Sequence, residues 1–377
     1  MISVTICSPN MTDAAQWRQL IGRASSNVFM NPTALKAAGD TKFAEVQMLQ
    51  AWDQSSQPAR LVGSWAMQVR KVAPFWPRLL EASPYNYAFL SSPIVDPAFA
   101  TEVIAAFFTA IASSGLPNVI NLKDLDAESP SYQAVLTAVA ANGGVPLTLS
   151  ESARPVVSRD FGIKKSGSTR KKLRQDWNRL SALGAVDVVN DRTPEDVALA
   201  FEAFLALEAD SWKGANGTAL LCDAKDAAFV RRLVNGLAGQ GDASVALLRV
   251  DGRAIAAQVL MYCGATAYTW KTAFSADFAK YSPGALLIDK VTEELFSVPG
   301  IDTIDSCSAE GSFMAQLWSG RRRMVDLLVD VGPRKSLGFG LEACRQLGYL
   351  RLRDLRNRLR ETNWRPKPKK VAVAVPH

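Results

Sequence analysis

The sequence predicts a mixed α/β (α+β) fold built as two successive units, each combining strands with helices, followed by a basic tail. Three observations predict it. Stretches that alternate apolar and polar residues take turns with stretches whose apolar residues recur every three or four positions, which is how strands interleaved with helices read. Both halves share a hairpin-then-helix order, without repeating one another by residue identity. At about 100–200 residues per domain, 377 residues that are 48% hydrophobic suffice for two cores. The expected units are 1–160 and 161–335, with the tail at 336–377.

In the first unit, 43–52 and 61–72 alternate as strands, and the polar loop DQSSQP between them suits a hairpin. A third strand is expected at 87–90. Pro97 opens a helix to about Ser113 that sets Phe99, Val103, Phe107 and Ile111 four apart on one stripe. A short strand at 119–122 and a helix at 131–141, stopped by Asn142-Gly143-Gly144, complete the unit.

The second unit begins with GIKKSGSTRKKLRQDWNRLSALG, a basic helix ending at Gly184, and a strand at 186–189. Thr193-Pro194-Glu195-Asp196 has a capping Thr, Pro in the first turn and an acid three residues on, so it starts a helix. That helix turns Val197, Phe201 and Phe204 inward and reaches Trp212-Lys213; another covers 225–237. From 244 to 274, apolar runs separated by Asp251-Gly252 and Cys263-Gly264 form an antiparallel three-stranded meander. The loop SADFAKY and Ser282-Pro283-Gly284 then lead into a helix bearing Leu286, Leu287, Val291 and Leu295. A strand IDTID ends at Asp305, a short helix follows, and 324–331 is the last strand. Residues 332–340, with Pro333, read as a linker. In 341–361, Leu341, Cys344, Gly348, Leu352, Leu355 and Leu359 share one stripe with Arg elsewhere, a basic amphipathic helix; 364–377 reads as flexible.

Composition narrows the chemistry. The longest strongly apolar stretch, at 103–112, is half of what a membrane span of roughly 20 residues needs. The first residues carry no basic segment followed by an apolar one, so no secretory leader and a cytoplasmic location are expected. Five scattered cysteines without a CxxC argue against a disulfide framework and a structural zinc site. Cys222, Cys263 and Cys307 read as small buried apolar residues. His377 is the sole histidine, so Ser–His–Asp, Cys–His and HExxH schemes have no base or ligand; carboxylates, Tyr, Lys or backbone groups are left. The net charge is +7, yet 345–370 holds ten Lys/Arg against two Asp/Glu, so the body is near neutral and the tail points to an anionic partner.

Residues from about 165 to 331 resemble the acetyltransferase-like domain of the CelD/BcsL family, linked to bacterial cellulose and other exopolysaccharide synthesis. The matching stretches are STRKKLRQDWNRL, LEADSWKG, RVDGRAIAAQVLMY, TAFSADFAKYSPGALL and IDTIDSCS. That family belongs to the GNAT superfamily and is related to FemAB-type aminoacyl transferases. The resemblance implies two GNAT-like domains in tandem, each a central mixed sheet flanked by helices. Where many relatives carry Asp this chain has Ser275, and where they carry Tyr-Lys it has Phe313-Met314, so roles of those side chains do not transfer.

The resemblance further implies an acyl-CoA donor, most simply acetyl-CoA, whose diphosphate sits on backbone amides where a strand loops into a helix. The corresponding residues are Lys280, Ser282, Gly284, Ala285 and Leu286, with Lys280 in place of the usual Gln/Arg and Pro283 in place of a Gly. The same residues also read as an ordinary helix start, with Ser282 as cap. Asp305, at the end of a core strand, is the candidate base or else a helix-capping carboxylate. Tyr281, or alternatively Tyr268, is the candidate proton donor to the leaving thiolate, or else a packing aromatic.

Trp212 and Lys213 suit contact with an anionic or sugar ligand, Lys271 lines the cleft or faces solvent, and Glu310 touches substrate or is solvated. Arg170, Lys171, Lys172 and Arg174 bind a phosphate-bearing substrate or form a solvated face. No metal is expected. The function expected is acyl transfer to a sugar or lipid-linked saccharide in exopolysaccharide, cellulose or envelope synthesis. The tail would bring the protein to an anionic inner-membrane surface or a membrane synthase, or else pack as a C-terminal helix with an exposed Arg face. The alternatives are a FemAB-like transferase using aminoacyl-tRNA and an inactive scaffold for such a synthase.

Overall fold

The computed structural model describes residues 1–11, 13–164, 166–332 and 336–363. Pro333 and the stretch 364–377 lie outside the described residues. The first half contributes strands β1 (Ile2–Cys7), β2 (Val46–Asp53), β3 (Arg60–Lys71), β4 (Arg78–Glu81), β5 (Ile94–Val95), β6 (Val119–Asp126) and β7 (Leu147–Ser158). The second contributes β8 (Val186–Val189), β9 (Ala243–Val250), β10 (Arg253–Cys263), β11 (Thr266–Phe274), β12 (Thr303–Asp305) and β13 (Gly320–Asp330).

Among the described residues these thirteen strands join one mixed sheet, ordered β1-β2-β3-β4-β6-β13-β7-β12-β11-β10-β9-β8, with β5 beside β3. The pairs β4–β6 and β11–β12 are parallel. The sheets expected of the two units are therefore continuous, and β13 lies between β6 and β7, hydrogen-bonded to both.

Helices cover the sheet. The first half supplies α1 (Ala14–Ile21), α2 (Pro32–Asp40), α3 (Ala100–Ser113) and α4 (Pro130–Ala141). The second supplies α5 (Ser168–Ser181), α6 (Pro194–Ala209), α7 (Trp212–Ala215), α8 (Ala224–Ala238), α9 (Pro283–Ser297), α10 (Met314–Leu317) and α11 (Leu337–Asn363). Local chemistry explains several boundaries. The Thr193 hydroxyl accepts the Asp196 amide at 3.2 Å, and Pro194 fills the first helical position of α6. Asp251 and Gly252 have φ of 48° and 78°, the left-handed pair a two-residue hairpin turn requires.

One core cluster spans both halves and contains Phe29, Phe107, Phe204, Phe229 and Tyr268. A second holds residues of α5, α9 and α10, including Leu173, Leu286 and Leu317. Val103, Phe107 and Ile111 are fully buried, as their four-residue spacing predicts. They pack against a strand whose Gly63 leaves no room: a Cβ there would lie 2.5 Å from Val103 Cγ1 and 3.3 Å from Ala51 Cβ. Gly63→Ala is expected to destabilise the protein by about 1–3 kcal/mol. A urea midpoint that does not fall, at unchanged m, would contradict that packing.

Four expectations need correction. Cys222 is exposed rather than buried, and α11 starts at Leu337, inside the stretch read as a linker. Residues 87–90 form no strand: the Tyr87 carbonyl accepts Trp270 Nε1 at 3.0 Å and the Leu90 carbonyl accepts Asn27 Nδ2 at 3.2 Å, so side chains replace the ladder. The helix from Thr193 also does not run through to Lys213. It ends at Ala209, and the Ser211 hydroxyl caps the separate α7.

Candidate active site

β11 and β12 run side by side only briefly. They pair in parallel from Thr266–Thr303 to Tyr268–Asp305; beyond that β12 has ended, while β11 continues to Phe274. A wedge therefore opens along one edge of β11, with Thr269 at its apex donating to the Asp305 carbonyl at 3.2 Å. On its other edge β11 pairs with β10, and the register slips between Val259–Lys271 and Leu260–Thr269, leaving Trp270 as an extra residue. This bulge reverses the alternation. Tyr268, Trp270 and Ala273 join the core cluster that includes the first half, whereas Thr272 and Phe274 face Gly284 at the start of α9, within 3.5 Å of where a Cβ would stand there.

On the α9 face, Ser282 adopts a left-handed conformation (φ 52°) that turns the chain sharply into Pro283. The Ser282 carbonyl accepts the amides of Ala285 at 3.0 Å and Leu286 at 3.1 Å, and Pro283 has no N–H. Among the described residues this leaves the Gly284 amide as the unbonded donor of the first turn, fewer than the sequence predicts. Cations make up the difference. Lys172 on α5 donates to Ser282 Oγ at 2.6 Å and pairs with Asp176, while Lys280 and Arg179 lie 5.1 Å and 5.3 Å from the centre of the Tyr281 ring. Tyr281 is thus buried beneath two positive charges. A cleft of about 640 Å³ between α5 and α9 adjoins this corner, lined by Arg170, Arg174, Trp177 and Asp289 among others.

On the opposite face, Lys271 Nζ lies 4.4 Å from the centre of the Tyr87 ring and 5.4 Å from that of Trp270. Burial pushes its ammonium down to about 8; Glu208 and Asp226 pull the other way, and Lys213 adds to the fall. The Tyr87 hydroxyl donates to Asp226, and burial, reinforced by that bond, holds the phenol above its usual range. Lys213 Nζ donates to the buried Glu208 carboxylate at 2.8 Å, which also accepts the Leu220 amide at 2.9 Å. Trp212 projects its ring into solvent, 66% exposed.

Asp305 is fully buried. One oxygen accepts Arg322 Nη1 at 2.9 Å and the other the Cys307 amide at 2.8 Å, with Arg154 Nη1 3.7 Å away. Arg154 also pairs with Asp124 at 2.9 Å and Arg322 with Asp126 at 3.5 Å; burial raises the pKa of both carboxyls. Asp305 therefore offers no oxygen to a substrate, and its carboxylate anchors the end of β12 instead of acting as the expected base.

Tyr268 is likewise sealed in the core, donating to the Ser26 carbonyl at 2.8 Å, and burial holds its phenol far above the usual range. Glu310 stands on an exposed turn between β12 and α10, with no hydrogen bond or ion pair to the wedge residues among the described residues. The structure brings Lys280, Ser282, Gly284, Ala285, Leu286 and Tyr281 to one face of the wedge, and Lys213 and Lys271 to the other. Sequence reasoning missed Tyr87, Glu208 and Asp226, whose roles depend on contacts between distant segments. It also missed the Asp305 pairing with Arg322 and Arg154.

Comparison with known proteins bears on this arrangement. Residues 167–310 match the family model of the acetyltransferase (GNAT) domain, and no curated protein matches the chain. The fold is similar to that of FemX (12% identity, 85% of this chain and 95% of that one, TM-score 0.56). It is also similar to L-PGS from Bacillus licheniformis (15% identity, 89% and 96%, TM-score 0.52). A conserved protein of unknown function from Bacteroides thetaiotaomicron is a further likeness (10% identity, 88% and 100%, TM-score 0.55). At such identities these likenesses establish the fold alone.

Proposed function

We propose that this chain, an acyltransferase with a GNAT domain at 167–310, moves an acyl group from acyl-CoA, most simply acetyl-CoA, to an amine or hydroxyl of a saccharide or lipid-linked saccharide. The setting would be exopolysaccharide, cellulose or envelope synthesis. The observation that carries this reading is the wedge between β11 and β12, with cations at one face and a titratable lysine at the other.

The donor's diphosphate is held by Lys172, Lys280 and the Gly284 amide, so charge does more of the binding here than a row of amides. The thioester end lies along the open edge of β11, whose unpaired backbone groups hydrogen-bond its amides. The acceptor approaches from the Lys271 side, with Trp212 as a flat platform for a sugar ring and Lys213 beside it. Neutral Lys271 takes the proton of the attacking amine or hydroxyl as the nucleophile–carbon bond forms. The C–S bond then breaks, and the Lys271 ammonium returns the proton to the thiolate, while Tyr281 stays at the diphosphate corner beneath Lys280.

Calorimetry with acetyl-CoA tests the reading. Binding is expected, and Lys172→Glu weakens it about tenfold, the value of one charged contact. Absence of heat from the wild type with any acyl-CoA would overturn it.

A second reading, an aminoacyl-tRNA donor, is favoured by Lys171, Arg174 and Arg179, which line an open groove along α5. It requires a tRNA mobility shift that weakens steeply with salt and no response to acyl-CoA.

A further inference from the structure

The wedge leaves α11 unused, and α11 has two faces. One is packed: Phe339 joins Leu79, Val119 and Leu328, and the buried Glu342 carboxylate accepts Trp76 Nε1 at 3.1 Å. On the opposite side, Leu341, Leu352, Leu355 and Leu359 fall within about 60° of one another at 3.6 residues per turn. These four leucines are 47–68% exposed. Arg351 and Arg358 border this stripe on one flank and Arg345 and Arg356 on the other; Arg345 is paired with Glu342 and Arg358 with Asp354, so Arg351 and Arg356 carry the charge that the stripe adds. Among the described residues of α11, Leu352, Arg356 and Leu359 are exposed, and the sequence after the helix adds Arg365, Lys367, Lys369 and Lys370.

The Trp76 bond to Glu342 also fixes the loop between β3 and β4 beside α11. That loop holds Phe75 fully exposed and Val72 half exposed, on the packed side of the first turns of α11.

We infer that α11 docks the protein on an anionic lipid surface. The charge decides between occupants. A second copy would bring arginine flanks against arginine flanks, whereas anionic headgroups over acyl chains meet both the cations and the leucines. This inference stands apart from the acyl-transfer reading, because no residue of the wedge takes part in it.

Flotation of the full-length protein with vesicles tests it. Vesicles of phosphatidylcholine with phosphatidylglycerol are expected to carry the protein, and pure phosphatidylcholine to bind at least about tenfold more weakly. Two double variants on the solvent-facing side, Leu352→Asp with Leu355→Asp and Arg351→Glu with Arg356→Glu, should each lower binding by about tenfold or more, with unchanged thermal melting. Equal binding to both vesicle types, no binding at all, or binding that ignores both double variants overturns the inference. A wild-type dimer that the leucine variant splits, with no change in flotation, assigns the stripe to a second copy and also overturns it.

Discussion

Lys271→Met is expected to lower the acyl-transfer rate about 100-fold or more, the least that a positioned general base contributes. The pH profile carries the diagnosis. With its ammonium pushed down to about 8 by burial, Lys271 gains its proton-accepting form as the pH rises through that value, so the wild-type rate climbs there and then levels off. The methionine variant loses the climb together with the rate. Lys271→Arg, cationic at every accessible pH, should be as inactive as methionine.

Under the same substitution, stability moves the other way. Because the folded value lies below the ordinary 10.5, folding expels a proton between the two, and the charged lysine weakens the fold below about pH 8. That burden lifts as the pH rises toward 10.5. Methionine, which keeps the packing against Tyr87 and Trp270 without the charge, should stabilise the protein at pH 7 by about 1 kcal/mol or more. A variant that keeps a tenth of the wild-type rate, or a wild-type profile flat between pH 7 and 9, would remove Lys271 from the reaction.

Arg322→Met is expected to destabilise the protein by about 3–5 kcal/mol, because it strands the buried Asp305 carboxylate. The remaining cation, Arg154, lies 3.7 Å from Asp305, outside hydrogen-bonding distance, and is shared with Asp124. Adding Asp305→Asn to Arg322→Met removes the stranded charge and should recover part of the loss, a coupling that urea unfolding of the two single variants and the double resolves. A loss under about 1 kcal/mol for Arg322→Met would mean that Asp305 draws no support from the pair.

The elements that the sequence reveals best are those whose determinants are local. Asp251-Gly252 between apolar runs, Thr193-Pro194 ahead of α6, and the four-residue spacing of Val103, Phe107 and Ile111 each encode their structure within a few residues. What escapes notice depends on distant partners. Tyr87 lies in irregular chain because its carbonyl meets Trp270, 183 positions away. Asp305 reads as a strand-end carboxylate, and nothing near it announces Arg154 or Arg322. The direction of Lys271 is hidden for another reason: strict alternation misplaces it, and the bulge at Trp270 is set by pairing with β10. The donor corner stands between these cases, since the loop is readable at Lys280–Leu286 while Lys172 reaches it from another helix.

The insertion of β13 between β6 and β7 has a consequence for synthesis. While the chain emerges from the ribosome, the first 160 residues are complete long before the strand that fills their sheet, so β6 and β7 wait with bare hydrogen-bonding edges. Nascent chains halted before Gly320 should therefore depend on chaperones and clump when these are scarce, and release of the full chain should end that dependence.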